Sequence, residues 1–327
     1  MEDEILQVQN LTVNYRLEDS IVKGIENVSF GIKKSSITAI IGESGSGKTT
    51  LLSAILGFLP QNARISGKII FNNEKIMENG KYSKKFRTNR WRLISYIPQN
   101  AMSVLSPLRK IRSHFIDTAM AYNIPKEVAL NSAKEILPQI GLDEKILNYY
   151  PFELSGGMKQ RVVIALAIFL RPLLTVADEP TSALDVITQK KILDLLKKIN
   201  NELNITFLVS THDISVASYV ADEIIVLYNG HIVERGSKEA IINHPLHPYT
   251  LYLLSSVISL SSKNKLIKIR EKFMVKHNIN KNRGCPFYSR CPFATTICSE
   301  EFPPNIRIND HEVLCNKPFE VEKSVYT

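Results

Sequence analysis

Residues 42 to 49 read GESGSGKT, a glycine-rich run closed by a lysine and a hydroxyl. That pattern suits one kind of chemistry, the cradling of phosphate. Gly42, Gly45 and Gly47 let backbone N–H groups approach an anion, Lys48 supplies a point charge for its terminal phosphates, and Thr49 offers a hydroxyl to magnesium. Ser46 and Thr50 belong to the same candidate cradle. An ordinary glycine turn is the alternative. The flanks argue against it: SSITAIIG before the run is apolar and β-branched, as a buried strand is, and KTTLLSAILGFL after it has helical spacing. The loop therefore opens a helix, whose positive N-terminal end faces the bound anion.

A second constellation is LLTVADEP, a hydrophobic strand that delivers Asp178 and Glu179 to the C-terminal edge of a sheet, where ligands of such folds gather. Asp178 is placed to hold magnesium and Glu179 to polarise an attacking water. Adjacent acids at a strand end are otherwise a solvated loop. His212, in LVSTHD, follows another buried strand and should emerge at the same edge; packing or surface exposure is its plain alternative. Gln99, in YIPQN, carries an amide that could ligate magnesium, or it is a simple loop glutamine. In LSGGMKQR, Ser155, Gly156 and Gly157 precede a strong helix and form a second anion-binding terminus. One nucleotide has no need of two. Two chains meeting head to tail would, each closing the other's nucleotide.

The elements that must position these groups are legible in outline. ILQVQNLTVNY and ENVSFGIKK alternate in places, as half-buried strands of an antiparallel sheet do, and ISGKIIF returns as a strand. Residues 108 to 150 are dominated by helical patterns. MKQRVVIALAIFL is a buried helix, a helix spans about 186 to 202, ITFLVS is a third core strand, and IIVLYNG with HIVERG forms a closing hairpin through Asn229-Gly230. Strands alternating with helices predict an α/β core.

Size and charge set outer bounds. The 327 residues suffice for two domains, and 44% are hydrophobic. MEDEILQVQN lacks the basic-then-apolar pattern of a secretory signal, so export is not expected. The strongest apolar run, VVIALAIFL, is nine residues long, whereas a membrane span needs about 20. The formal charge of +9 would suit nucleic acid, anionic lipid or an acidic partner, or is simply a solvated surface. Basic residues thicken at 81–92 and 263–283, without the aromatic interleaving of a single-strand binder. No nucleic-acid partner is expected.

Taken in order and spacing, GESGSGKT, the glutamine of YIPQN, LSGGMKQR, LLTVADEP, SALD and the histidine of STHD resemble the ATPase subunit of an ABC transporter. The resemblance implies an α/β P-loop NTPase core with an antiparallel β subdomain and a helical subdomain at about 90–160, the whole ATPase domain covering 1–260. It implies ATP and Mg2+ as cofactors. Lys48, Gln99, Glu179 and His212 take catalytic roles, and magnesium is held by Thr49, Gln99 and Asp178. Tyr15 stands where an aromatic stacks on adenine, with an ordinary strand-end tyrosine as the alternative. Asp185, in SALD, couples the two ATP sites across a dimer.

All four cysteines, Cys285, Cys291, Cys298 and Cys315, fall in the last 43 residues, marking a separate C-terminal extension at 261–327. With HPLHPYT, Pro303-Pro304 and His311, this tail resembles that of ATPases serving peptide and nickel importers, a group that also carries oligosaccharides. The resemblance implies a [4Fe-4S] cluster on the four thiolates; structural zinc, disulfides or free thiols stay open, since C-x5-C-x6-C-x16-C is not the spacing of a zinc ribbon. A lysine-rich connection at 260–283, with helical stretches, departs from the family's pattern. The resemblance further implies a sibling ATPase, two transmembrane permease subunits, an external solute-binding protein, and a peripheral place on the cytoplasmic face of the membrane. The loop NAMSVLSPLRKI is expected to touch the membrane subunit. The alternative class is a soluble ABC ATPase acting on DNA or ribosomes.

Overall fold

The computed structural model describes residues 3–18, 20–100, 103–182, 184–255 and 284–318. The chain opens with strands β1 (Glu4–Arg16), β2 (Ile21–Lys33) and β3 (Ile37–Ile41), followed by helix α1 (Lys48–Leu56). Strands β4 (Ala63–Phe71), β5 (Glu74–Glu78) and β6 (Lys81–Tyr82) precede helix α2 (Lys84–Leu93) and strand β7 (Ile94–Ile97). A helical stretch holds α3 (Ile111–Met120), α4 (Lys126–Gln139) and α5 (Gly156–Ile168). Then come β8 (Leu174–Asp178), α6 (Val186–Leu203), β9 (Thr206–Thr211), α7 (Ile214–Val220), β10 (Glu223–Tyr228), β11 (His231–Ser237), α8 (Lys238–Asn243) and α9 (Pro248–Ser255). The cysteine-bearing tail adds a short helix, Thr296–Glu300, and strands β12 (Asn305–Ile308) and β13 (His311–Leu314).

Two sheets result. An antiparallel one has the order β2-β1-β4-β5-β6, and a larger one the order β12-β13-β11-β10-β3-β9-β8-β7. Within the larger sheet β10, β3, β9, β8 and β7 run parallel, while β11, β13 and β12 continue it in antiparallel fashion. Parallel strands must be covered on both faces, which is why β3, β8 and β9 are buried throughout. Alternation within β3 shows the two layers. Ile40 packs with α1 and the antiparallel sheet, whereas Ala39 and Ile41 pack with α7, α9 and Phe287 of the tail. A third apolar cluster joins Phe207 and Val209 to α3, α4, α5 and α6.

The hairpin expected at Asn229-Gly230 joins β10 to β11, with both turn residues at positive φ, as a two-residue connection demands. Helix α2 has no counterpart in the sequence reading. It is strongly basic and buries only Phe86, so apolar periodicity does not announce it; its Ser83 cap, accepting from the Phe86 N–H, is the local signal. The cysteine tail is not free-standing, because β13 pairs with β11 at Glu234 and Arg235. The basic stretch at 263–283 and the connection at 260–283 lie outside the described residues, as do Ala101 and Met102 of the loop after Gln99.

Candidate ATP site

The phosphate loop leaves the C-terminal end of β3 and turns into α1 at Gly47, which caps the helix at φ 107° with no side-chain acceptor. The first N–H groups of α1 thus have no capping side chain and are left for a ligand. A Cβ on Gly42 would stand 2.2 Å from the Leu227 carbonyl oxygen, and one on Gly47 would stand 2.6 Å from that of Gly24. Only glycine lets the loop lie this close to its neighbours. Lys48 is 6% exposed and donates to the carbonyls of Gly42 at 2.7 Å and Glu43 at 3.1 Å. Burial depresses its ammonium below the ordinary lysine value, against the pull of Glu179, Asp178 and Glu43.

Strands β8 and β9 bring the acids to this loop. Asp178 accepts from the Thr49 hydroxyl at 3.3 Å and, on its other oxygen, from the buried Ser210 hydroxyl. Glu179 follows at φ 47°, a strained conformation for a side chain of its size and one that clusters at active sites. Its Oε2 meets Gln99 Nε2 at 3.1 Å and His212 Nδ1 at 3.2 Å. The structure therefore gathers Gln99, Glu179 and His212, predicted separately, into one cluster beside Lys48, Thr49 and Asp178. Gln99 bonds the Glu179 carboxylate in this arrangement.

The remaining predicted residues occupy distinct places. Tyr15, half-buried near the end of β1, shares a 3.0 Å hydrogen bond with Thr50 on α1. Ser155 caps α5, accepting from the Met158 N–H at 3.3 Å. A Cβ on Gly157 would lie 3.2 Å from Thr188, so the LSGG turn adjoins the start of α6. Asp185 caps that helix, accepting from the Ile187 and Thr188 N–H groups at 3.1 and 3.0 Å. The Thr188 side-chain hydrogen bond, followed by backbone N–H groups, holds the Asp185 carboxyl below its usual range.

Four residues were missed by sequence reasoning. Ser210 grips Asp178, and Ser182 donates to the carbonyls of Glu179 and Gln99 at 2.9 and 3.2 Å. Gln160, buried on α5, donates to the Pro180 carbonyl at 2.7 Å, tying the LSGG helix to the acidic strand end. Glu43 is the fourth. Small hydroxyls and amides carry no sequence signal until their partners are known.

The site fits a magnesium nucleotide. The Ser46 hydroxyl is buried in the loop with no hydrogen-bond partner among the described residues, and hard oxygen donors stand together at Thr49 and Asp178. Residues 25–182 match the family described as ABC transporter, and 233–298 match the oligopeptide/dipeptide transporter, C-terminal region. The chain is 39% identical to the dipeptide transport ATP-binding protein DppD of Caldanaerobacter subterraneus, over 95% of this chain and 96% of that one. The chain belongs to the ABC transporter family. It is an ATP-binding and ATP-hydrolysing subunit. The oligopeptide transport ATP-binding protein OppD of Escherichia coli is 34% identical over 92% of this chain and 91% of its own length. Among solved structures, the ATP-binding cassette MJ0796, dimeric in a post-hydrolysis state with ADP and Pi, is 31% identical with a TM-score of 0.59, covering 71% of this chain and 98% of that one. No helix among the described residues is long and apolar enough to cross a membrane.

The expected iron-sulfur cluster, and zinc in its place, are corrected by the structure. Among the described residues no group of three or more His, Cys, Asp or Glu side chains is arranged to hold a metal ion, and none of the four cysteines is joined in a disulfide. All four border one small cavity, together with His247, Phe287 and Phe293. Burial pushes the thiols of Cys285 up to about 11 and of Cys291 and Cys315 up to about 12. Burial also raises Cys298, but the backbone N–H and hydroxyl of Thr295, the Asn316 amide and Lys317 outweigh it and bring that thiol below its ordinary value.

Proposed function

We propose that this chain is one of two ATPase subunits of an importer for oligopeptides, dipeptides or a related solute such as an oligosaccharide or nickel. The observation that carries the reading is the convergence of Gln99 and His212 on Glu179 beside Lys48. The names of the relatives, dipeptide and oligopeptide transport ATP-binding proteins, point to the cargo class. Magnesium-bound ATP supplies the phosphoryl group whose transfer to water releases free energy.

Lys48 meets the charge of the terminal phosphates, while Gly42, Gly45, Ser46, Gly47 and Thr50 line the cradle. Thr49, Asp178 and Gln99 hold magnesium. Glu179 orients the attacking water, its carboxylate fixed by Gln99 and His212. Tyr15 stacks on the adenine. Ser155, Gly156 and Gly157 face the nucleotide of a second ATPase, and Asp185 links the two sites through α6. MJ0796 is described as a dimer, the arrangement in which such a turn finds a use. Residues 1–260 form the ATPase domain, with its helical subdomain at about 90–160, and 261–327 form the extension.

The full assembly contains a sibling ATPase, two permeases and a solute-binding protein, with this chain peripheral on the cytoplasmic face. The loop at 100–111 is its contact with a permease, and Leu108, 87% exposed, gives that loop an apolar contact residue. Closing and reopening of the ATPase pair drives the permeases between states. The test is an affinity pull-down from detergent-solubilised native membranes, with mass spectrometry of each co-purifying chain. Two polytopic permeases and a sibling ATPase are expected. Recovery only with ribosomal proteins or nucleic acid would replace transport by a soluble role.

A further inference from the structure

The phosphate loop is tied to the cysteine tail. Glu43, the second residue of GESGSGKT, receives Arg290 in a two-point pair, Nη1 to Oε2 at 2.6 Å and Nη2 to Oε1 at 3.0 Å. The Glu43 backbone is held as well, its N–H donating to the Tyr249 hydroxyl at 2.8 Å while its carbonyl accepts from Lys48. Arg290 ends the turn Tyr288–Arg290, whose backbone bonds run from Tyr288 N–H to the Cys285 carbonyl and from Cys291 N–H to the Tyr288 carbonyl. Its guanidinium lies 5.0 Å from the Tyr252 ring centroid and 5.8 Å from that of Tyr228. The two side chains are 29% and 38% exposed, so the pair adds little to overall stability. Its planar fork nevertheless fixes the carboxylate in one geometry, which a lysine would not. It also neutralises an anion beside a loop that must accept phosphate.

We propose that Arg290 is a positioning residue for nucleotide binding: acting through Glu43, it keeps the first turn of the phosphate loop ready for an anion, so the seating of the cysteine tail sets the affinity of the ATPase core. The proposal rests on the reading of residues 42–49 as the nucleotide site. Its ion-pair partner on the core is the Glu43 carboxylate, which makes the coupling measurable as a pair.

The experiment measures binding of a fluorescent ATP analogue with Mg2+, together with steady-state hydrolysis, in the full chain. Arg290→Ala is expected to raise Kd and KM about three- to tenfold with kcat at saturating ATP changed less than twofold, and Arg290→Lys to recover part of the loss. Adding Glu43→Gln to Arg290→Ala should produce no further loss, since the arginine acts only through that carboxylate. Unchanged affinity in Arg290→Ala, or losses that simply add in the double variant, overturns the proposal. Lys48→Ala separates the two levels. If it binds the analogue as well as wild type does, the nucleotide site is elsewhere and both readings fall; if it abolishes binding while Arg290→Ala has no effect, only the coupling falls.

Discussion

Ser210 and Asp178 sit opposite each other in the parallel register of β9 and β8, and the serine hydroxyl donates to the aspartate carboxylate while accepting from the Glu179 N–H at 3.1 Å. One side chain thus sets both acids at the strand end. It fixes the carboxylate that faces Thr49 and the backbone that carries Glu179.

Ser210→Ala should loosen Asp178 without removing it. Outer partners of a metal-binding carboxylate affect metal affinity by roughly 10- to 100-fold. The Mg2+ concentration for half-maximal ATP hydrolysis is expected to rise by about tenfold. A magnesium titration that overlays wild type would show that Asp178 needs no such support.

Glu179→Gln keeps the size of the side chain and an oxygen for Gln99 but loses the carboxylate that polarises water. Hydrolysis is expected to fall by about 10² or more, with ATP affinity in the wild-type range. Phosphate release and equilibrium binding measure the two separately. Undiminished hydrolysis would remove Glu179 from the mechanism.

Glu234 is fully buried and accepts from the N–H groups of Leu246 at 2.6 Å and His247 at 3.1 Å, and pairs with His311 Nε2 at 2.7 Å. It joins β11, the start of α9 and the cysteine tail at one point. Glu234→Ala leaves these groups without their acceptor, and loss of one partner from a buried set of this kind costs about 3–5 kcal/mol. Urea unfolding should show that loss; a midpoint close to wild type would mean that water replaces the carboxylate freely.

His247 gives the fold a sign-defined pH response. It is wholly buried, its Nδ1 accepts from the Tyr249 N–H, and burial holds its pKa at about 3 against an ordinary 6.5. Above pH 6.5 folded and unfolded chains both carry it neutral, and its contribution is complete. Below that, the unfolded chain binds a proton that the folded one refuses, so stability falls as pH drops towards 3, by up to about 1.4 kcal/mol per unit. His247→Asn should flatten the difference between urea midpoints at pH 7 and pH 5. Equal slopes in both proteins would assign the acid sensitivity elsewhere.

The chemistry of the core was legible because its residues are contiguous. GESGSGKT, LLTVADEP and LSGG each carry their own strand or helix, so local pattern determined both the element and the side chains it delivers. Periodicity gave the buried strands β3, β8 and β9 and the helix α6, whose apolar positions leave little choice of partner. What escaped depended on contacts far apart in the chain. Ser210 matters only because β9 lies beside β8, Gln160 only because α5 passes under Pro180, and α2 has too few buried positions for its period to show. The cluster that the resemblance implied fails for a related reason: the number of thiols says nothing of how their side chains are arranged, and among the described residues they form no metal-holding group. Sequence by itself determined an ATP-hydrolysing cassette with a cysteine-bearing tail. Only the tertiary structure decided that the tail extends the core sheet and lays Arg290 on Glu43, because a bond across 247 residues is set by packing and not by any local propensity.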